Sequence, residues 1–417
     1  MVNGKKPVRI VILGAGFGGS YAFKRLHKFF HKDQSVELIL VDARNYFLFT
    51  PLLHEVATGS VARENIVEPL RKVLGCCLAE FCLADVKRVE LQSRRVITTN
   101  GSISYDYLIM ALGAETNFYN IPGAREHSFT LKSLENAVRL KNHFIKKFEE
   151  AAATDDENLL KNKLCFVVVG GGPTGVELAA EMSELFYHTF SKYYGRHFFY
   201  QKVKIALVQN NKELLPRFSK KLRDKSLSVL QSKKIDVKLG VNVKRVVKTF
   251  IELSTGEILP TETVIWVAGV KPRDVLFDRK IERDSKGRIR VNEYLQMYES
   301  PEVFALGDIA AFAQNKKELP EFAQVATKQA RGVAENIKNL IDGKPARPFH
   351  YRHTGDLISL GQWMAIGEIG GFPFWGRFTW WLWRTVYLSK LISFPKKVKV
   401  AVDWTFNLFM PRDISQL

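Results

Sequence analysis

Cysteine is scarce in this chain, with four residues in 417, at Cys76, Cys77, Cys82 and Cys165. None forms a C-x-x-C pair, and none lies beyond Cys165. That spacing argues against a secreted disulfide framework. The histidines do not gather around these cysteines at ligand spacing, so no metal site is expected. Long apolar runs are missing too. No 18-residue stretch is free of charge, so no transmembrane helix is expected. Only Met1 to Pro7 precede the first strand-like run, and no signal or transit peptide is visible there. Acidic residues are in deficit, 43 against 62 Lys and Arg, for a formal net charge of +19. Such an excess favours nucleic acid, anionic lipid or acidic small molecules, and its distribution must choose among them. What remains is a globular composition, 46% hydrophobic and 25% charged. The length suits two or three domains.

The stretch around which the chain is organised is VRIVILGAGFGG, Val8 to Gly19. Val8 and Ile10 to Leu13 read as a buried parallel strand. It runs into Gly14-Ala-Gly16-Phe17-Gly18-Gly19 and then a helical stretch, Ser20 to Phe30. One glycine makes the turn, a second lets backbone approach a pyrophosphate, and a third lets helix pack on sheet. The helix start offers N–H groups and a positive dipole end to phosphates. The next strand-like run, Val36 to Val41, ends in Asp42, whose carboxylate can accept from a ribose 2′-OH. The bland alternative is a glycine turn beside a surface aspartate.

Residues 81–110 alternate strand-like runs with turns, and Asn100-Gly101 signals a hairpin. Tyr107 to Ala114 is another apolar strand, ending at Gly113, with Ala111 inside it. Residues 131–160 are helical and charged. Then the opening pattern returns: a strand to Val169, the loop Gly170-Gly171-Gly172-Pro-Thr174-Gly175, a long helix from Val176, and a strand to Val208. Two such units are far more specific than one, and two loops need two nucleotides. The position matching Asp42 is Gln209. An acid there would repel a 2′-phosphate, whereas glutamine can donate to one. Use of NADH and tolerance of NADPH both stay open. Later come a strand into Gly269, the run Phe304-Ala-Leu-Gly307-Asp308 opening a helix, and one helix from Glu318 to Leu340.

These features resemble the two-dinucleotide-binding-domain flavoprotein reductases over roughly residues 8–340. In that family the first unit binds FAD and the second NAD(P)H, and the late aspartate, here Asp308, holds the flavin side. Dithiol reductases carry paired cysteines after the first loop, and Tyr46 to Gly59 has none. Sulfide:quinone oxidoreductases need cysteines on both sides of the flavin, and nothing after Cys165 supplies the second. The type II NADH dehydrogenases need no cysteine. Three segments are similar to theirs: Thr50 to Gly59, Gly171 to Glu177, and Ala323-Gln-Val-Ala-Thr-Lys-Gln329. The last resembles their A-Q-x-A-x-Q-Q quinone motif, with Lys328 replacing the first glutamine of the closing pair.

The resemblance implies cofactor contacts at Gly14, Gly16, Phe17, Gly18, Gly19, Asp42, Ala111, Gly113, Gly307 and Asp308 around the first loop. Around the second it implies Gly170, Gly172, Thr174, Gly175, Gln209 and Gly269. Glu177 is expected beside the nicotinamide–flavin stack, positioning nicotinamide or relaying protons. Its bland reading is a surface glutamate compensating a helix dipole, worth about 0.3–1 kcal/mol. Gln324, Lys328 and Gln329 are expected at the quinone. Gln324 and Lys328 share a helix face. The bland reading makes all three solvated residues of an ordinary helix.

The C-terminal region, from residue 349, differs in composition. Short strands lead into Phe374 to Phe394, apolar almost all round and closed by Pro395. Lys396, Lys399, Asp403 and Asn407 then share one narrow stripe, and apolar residues cover the rest. This suits a helix lying in the plane of lipid headgroups. Arg377, Arg384, Lys390, Lys396, Lys397, Lys399 and Arg412 would each add about 1 kcal/mol on anionic lipid. A dimer interface or a helical pair closing the core is the structural alternative, and whether a homodimer forms is left open.

The expected fold is α/β, with two Rossmann-like dinucleotide-binding domains and a C-terminal membrane-associating region of amphipathic helices. Its expected divisions are 1–120 and 273–348 for FAD, 121–272 for NAD(P)H and 349–417 for the membrane. The expected activity is electron transfer from NADH or NADPH through FAD to a membrane quinone, without proton pumping. The expected place is the cytoplasmic face of a bacterial inner membrane. A soluble flavin reductase or a sulfide:quinone oxidoreductase-like enzyme is the competing enzyme reading. A nucleotide sensor or nucleic-acid binder is the competing non-enzyme reading. No recognisable nucleic-acid module accompanies the charge.

Overall fold

The computed structural model describes residues 6–74, 79–194 and 202–416, so Cys76 and Cys77 lie outside the described residues. The chain opens with β1 (Val8–Leu13), α1 (Phe17–Phe30), β2 (Val36–Asp42), α2 (Leu53–Ala57), β3 (Ala79–Leu83) and β4 (Tyr107–Met110). Its middle holds α3 (Leu134–Ala152), β5 (Cys165–Val169), α4 (Pro173–Glu184), β6 (Lys204–Gln209), β7 (Ile235–Leu239) and β8 (Thr263–Trp266). Then come β9 (Ser300–Ala305), α5 (Ala323–Ile341), β10 (Asp356–Ser359), β11 (Ala365–Ile369), β12 (Phe372–Gly376), α6 (Arg377–Lys390) and α7 (Phe394–Phe409). Two compact units result. The first comprises Met1–Phe47, Glu68–Glu115 and Val270–His353, and the second Leu48–Val67, Thr116–Gly269 and Thr354–Leu417.

The first unit is built on a parallel sheet in the order β9-β4-β1-β2-β3, with Gln296–Met297 antiparallel on the β9 edge. Ile10 to Leu13 are fully buried, which is why β1 is continuously apolar and does not alternate. The pairing of β9 with β4 returns the chain to its first sheet after Gly269. Helix α1 packs on α5, and Arg25 pairs with Glu335 at 2.8 Å. The helix expected from Glu318 starts at Ala323, because Lys317 and Glu318 pair with Ala313 and Gln314 as a hairpin. The Gly307-Asp308 run expected to open a helix makes a single 3₁₀ turn, Gly307–Ile309. The chain then continues as a short strand that pairs with Ile289–Arg290.

The second unit repeats the arrangement. Ser128–Phe129, β8, β5, β6 and β7 form a parallel sheet in that order. Helix α4 runs on through a π-turn, Leu185–Phe190, to Tyr193. Phe186 and Phe190 thereby join Phe144, Phe148 and Phe166 in a fully buried aromatic cluster. Burial of each ring contributes about 1.5–3 kcal/mol.

Strands β10, β11 and β12 form an antiparallel sheet. Gly370 and Gly371 join the last two with φ of +59° and +83°, the paired positive angles that a type I′ turn demands. Pro395, expected to close the first C-terminal helix, instead sits in the first turn of α7, where its missing N–H leaves no bond unmade. Among the described residues no helix is long and apolar enough to cross a membrane.

Candidate active site

Both glycine loops leave the middle of a sheet at the same register. Leu13 pairs with Val41, one residue before Asp42, and Val169 pairs with Val208, one residue before Gln209. Gly14 has φ of +92°, and a Cβ there would lie 2.4 Å from the Ala111 carbonyl oxygen. Gly170 has φ of +118°, and a Cβ there would lie 2.6 Å from the Ala268 Cα. Cβ atoms on Gly19 and Gly175 would fall within 2 Å of the Gly14 and Gly170 carbonyl oxygens, at 1.7 and 1.8 Å. By contrast, nothing lies within 4 Å of a Cβ on Gly16 or Gly172. These two glycines are the N-caps of α1 and α4, and no side chain caps either helix. Each loop therefore offers open space over N–H groups at a positive helix end, which fits a bound pyrophosphate.

The tip residues hold their loops. Asp42 Oδ2 accepts from the Ala15 N–H at 2.6 Å, and Oδ1 accepts from the Arg44 N–H at 2.8 Å. Gln209 Oε1 accepts from the Gly171 N–H at 2.8 Å. The surface-aspartate reading of Asp42 is thus corrected, since its carboxylate is largely buried in the loop. Beside the first loop, Phe17 packs edge-on against Phe47, and the Gly113 carbonyl accepts from the Arg273 N–H. In the second unit Gly269 accepts from the Asn117 N–H, while Thr174 is exposed.

The surface reading of Glu177 is overturned, because the side chain is buried. Its Oε1 accepts from the Ser359 N–H at 3.1 Å, and its Oε2 lies 3.9 Å from His54 Nδ1. Burial pushes its carboxyl well above the usual range, with the nearby acids Glu55 and Glu181 adding to the shift. Glu177 and Glu181 sit one turn apart on α4, and α2 brings His54 and Glu55 to them. Burial and the Glu181 charge push Glu55 up to about 8, and its carboxyl accepts from the Trp404 indole N–H. Burial alone would raise Glu181 too. Arg412, at 2.7 Å, together with His54 and the Ser60 hydroxyl holds it below the usual range. Burial lowers His54 to about 4, so it is neutral. Sequence reasoning assigned no role to His54, Glu55, Glu181 or Ser359. The single local signal was the four-residue spacing of Glu177 and Glu181.

The expected quinone residues lie in the first unit, on α5. Gln329 is buried, and its Oε1 accepts from the Gly307 N–H at 2.8 Å, tying the Gly307-Asp308 turn to the helix. Lys328 donates to the Arg352 carbonyl and lies over the Tyr351 ring. Lys328 and Gln329 are therefore engaged side chains and not merely solvated ones. Gln324 shares their helix, half-buried in its first turn.

Helix α7 turns Lys396, Asp403 and Asn407 of its polar stripe inward, while Lys399 stays exposed. Asp403 accepts from the Ala62 N–H at 3.0 Å and the Asn65 amide at 2.7 Å. Asn407 donates to the Ser60 carbonyl and Lys396 to the Glu64 carbonyl. Trp404 and Val400 are buried beside them. The outward face is apolar: Phe394, Val398, Val402, Phe406 and Phe409 on α7, with Phe378 and Trp381 on α6. Phe378 is 77% and Phe409 83% exposed. Of the seven basic residues expected on this face, Arg384 is buried, Arg412 binds Glu181, and Lys396 and Lys397 donate to the Glu64 and Ser389 carbonyls. Arg377, Lys390 and Lys399 stay exposed.

A split first unit, a second unit inserted into it, and two open glycine loops define a pyridine nucleotide-dependent oxidoreductase. Residues 8–330 match the pyridine nucleotide-disulphide oxidoreductase family, and residues 353–413 match the NDH2 C-terminal domain. The chain is 31% identical over 420 residues to the type II NADH:quinone oxidoreductase Ndh of Mycobacterium tuberculosis, covering 97% of this chain and 89% of that one. It is 30% identical over 418 residues to a probable NADH dehydrogenase of Dictyostelium discoideum, covering 98% and 91% of the two chains. The fold superposes on NDH2 of Plasmodium falciparum, solved with NADH, with a TM-score of 0.90 at 20% identity over 98% of this chain and 100% of that one. The chain belongs to the type II NADH:quinone oxidoreductase family.

Proposed function

We propose that the first unit holds FAD, that the second binds NADH or NADPH, and that the enzyme reduces a lipid-dissolved quinone at a membrane surface. The observation that supports this most is the repeated loop: two uncapped helix starts, each with open space above its second glycine. The net reaction takes NAD(P)H, a quinone and one proton to NAD(P)⁺ and a quinol. Bound FAD supplies a two-electron carrier between a donor and an acceptor that need not meet.

The chain's own residues set the rest. The N–H groups at Gly16 and Gly172 would hold the two pyrophosphates. Asp42 keeps a second lone pair on each oxygen for ribose hydroxyls after accepting from Ala15 and Arg44. Glu177, whose carboxyl burial holds well above the usual range and whose Oε1 accepts from the Ser359 N–H, would carry a proton beside the nicotinamide. Gln329 fixes the Gly307-Asp308 turn, from which Asp308 would hold the flavin side. Gln324 and Lys328, in the first two turns of α5, would donate to quinone carbonyls as these gain charge.

The membrane reading rests on the inverted amphipathicity of α7. A helix that hydrogen-bonds its polar stripe to the protein and presents Phe406 and Phe409 outward is suited to an apolar phase. With no spanning helix among the described residues, the contact is peripheral; in a bacterium this is the cytoplasmic face of the inner membrane. The competing dithiol reading finds little support. Cys165 is buried in β5, where desolvation pushes its thiol up to about 11, and Cys82 is a second free thiol.

Steady-state oxidation of NADH and NADPH against a short-chain quinone tests the activity, and flotation with vesicles tests the membrane contact. Quinone-dependent turnover and co-flotation are expected. Turnover only with a disulfide or peroxide, or protein remaining at the bottom of the gradient, would contradict the corresponding part.

A further inference from the structure

Within the second unit a cavity of about 440 Å³ opens beside α4, α6 and α7, and the mechanism above does not use it. Its wall includes Glu55, Glu181, Trp380, Arg384, Trp404 and Arg412. Apart from exposed Lys192, the charges on this wall are paired, with one exception. Arg412 binds Glu181 at 2.7 Å. Glu184, also on the wall, binds Lys233. Glu55 accepts from Trp404, and burial keeps its carboxyl largely protonated. Arg384 is the exception. It is 9% exposed, and among the described residues no carboxylate lies within ion-pair distance of it. Its Nε is buried without a hydrogen-bond partner. Its guanidinium stacks 3.6 Å from the Trp380 ring centroid and 5.0 Å from that of Trp404. Aromatic faces offset part of the cost of burying a cation, but they satisfy none of its N–H donors. A planar fork of donors facing a cavity is the arrangement that takes a phosphate or carboxylate.

The rest of the wall narrows the source of that anion. Phe409 and Met410 also line the cavity, and both are among the exposed apolar residues at the end of α7. Exposed Lys192 adds a cation to the same wall. A ligand held here would have its anionic group on Arg384 and an apolar part against the outward face of α7. We propose that this cavity is a discrete site for the phosphate headgroup of an anionic phospholipid, with Arg384 as its central cation. The proposal rests on the membrane-surface reading. It goes beyond it, because a specific pocket differs from general attraction by the surface charge.

The test uses full-length protein and three probes: dihexanoyl-phosphatidylglycerol below its micelle concentration, dihexanoyl-phosphatidylcholine, and inorganic phosphate. Binding is read by tryptophan fluorescence, since Trp380 and Trp404 flank Arg384, and by native mass spectrometry. Saturable binding of the phosphatidylglycerol, about tenfold tighter than the phosphatidylcholine, is expected. Arg384→Gln should weaken it about tenfold or more, and Arg384→Lys by less. Equal binding of the two lipids by the wild-type protein overturns the proposal, and this comparison needs no variant to fold. Unchanged binding in a folded Arg384→Gln protein also overturns it. Inorganic phosphate binding as tightly as the phosphatidylglycerol overturns the lipid source. Vesicle flotation run alongside separates the two readings. Flotation without specific lipid binding overturns the pocket and spares the membrane contact, whereas specific binding without flotation does the reverse.

Discussion

Gln209 accepts the Gly171 N–H through its side-chain oxygen at 2.8 Å, the bond that Asp42 makes to Ala15 at 2.6 Å in the first loop. The glutamine therefore replaces the acid in shape and in its grip on the loop, and differs from it in charge. The cofactor consequence lies in that charge alone. Gln209→Glu should keep the loop bond and set a carboxylate against a 2′-phosphate. We expect the ratio of kcat/KM for NADPH to that for NADH to fall by about tenfold or more. Paired kinetics with the two nucleotides decide it, and an unchanged ratio would remove Gln209 from the discrimination.

Glu177→Gln leaves an acceptor for the Ser359 N–H while removing the exchangeable carboxyl proton. Turnover should fall by about a hundredfold, the lower end of general acid–base contributions, with quinone KM little changed. Steady-state kinetics across pH check it. Turnover equal to wild type would leave Glu177 a structural residue.

His54 links the site to acid stability. Its folded pKa is about 4, below the ordinary value of 6.5. The unfolded chain therefore takes up a proton that the folded one refuses. The resulting stability is complete above pH 6.5 and is lost as pH falls from there to about 4, amounting to about 3 kcal/mol. In urea titrations His54→Gln should lose less stability than wild type between pH 7 and pH 4.5. Parallel losses would contradict the assignment.

Arg412→Gln would leave Glu181 buried without its cation. Removing one partner of such a pair costs about 3 kcal/mol or more. Adding Glu181→Gln should recover most of that, because it removes the buried charge that Arg412 had compensated. Thermal melts of the two variants test this, and a double variant no more stable than the single one would show that the pair is not the cause.

The outward face of α7 and α6 gives a prediction that leaves the interior alone. Replacing Phe378 and Phe409 with serine removes two large apolar groups that are mostly exposed. Vesicle flotation should weaken, with NADH oxidation by a water-soluble quinone retained. Flotation at wild-type strength would place the membrane contact elsewhere.

Much of this was legible in the chain. Gly14 and Gly170, each closing a β-branched run, mark the two sheets, and the order strand, loop, helix survives intact in both units. What the tip residues touch was not legible, because the clamps on Ala15 and Gly171 depend on side-chain direction in a folded loop. The buried acid cluster was hidden for a different reason. Glu55 and Glu177 are 122 residues apart in the sequence, and periodicity reports only on neighbours. Periodicity did find the stripe of Lys396, Lys399, Asp403 and Asn407, of which Lys399 stays exposed. It says which residues share a face, not what that face meets, and here the partners are the backbone and side chains of residues 60–65. The start of α5 at Ala323 was missed because a two-residue hairpin strand at Lys317–Glu318 has no pattern of its own.

The central claim is that two nucleotide loops serve one electron path from a dihydronicotinamide to a quinone. An anaerobic titration of the flavin-reconstituted protein tests it most directly. Flavin absorbance should bleach on one equivalent of NADH and return on one equivalent of short-chain quinone. Protein that stays colourless after flavin is supplied, or whose flavin is reduced by NADH and not reoxidised by quinone, would contradict it.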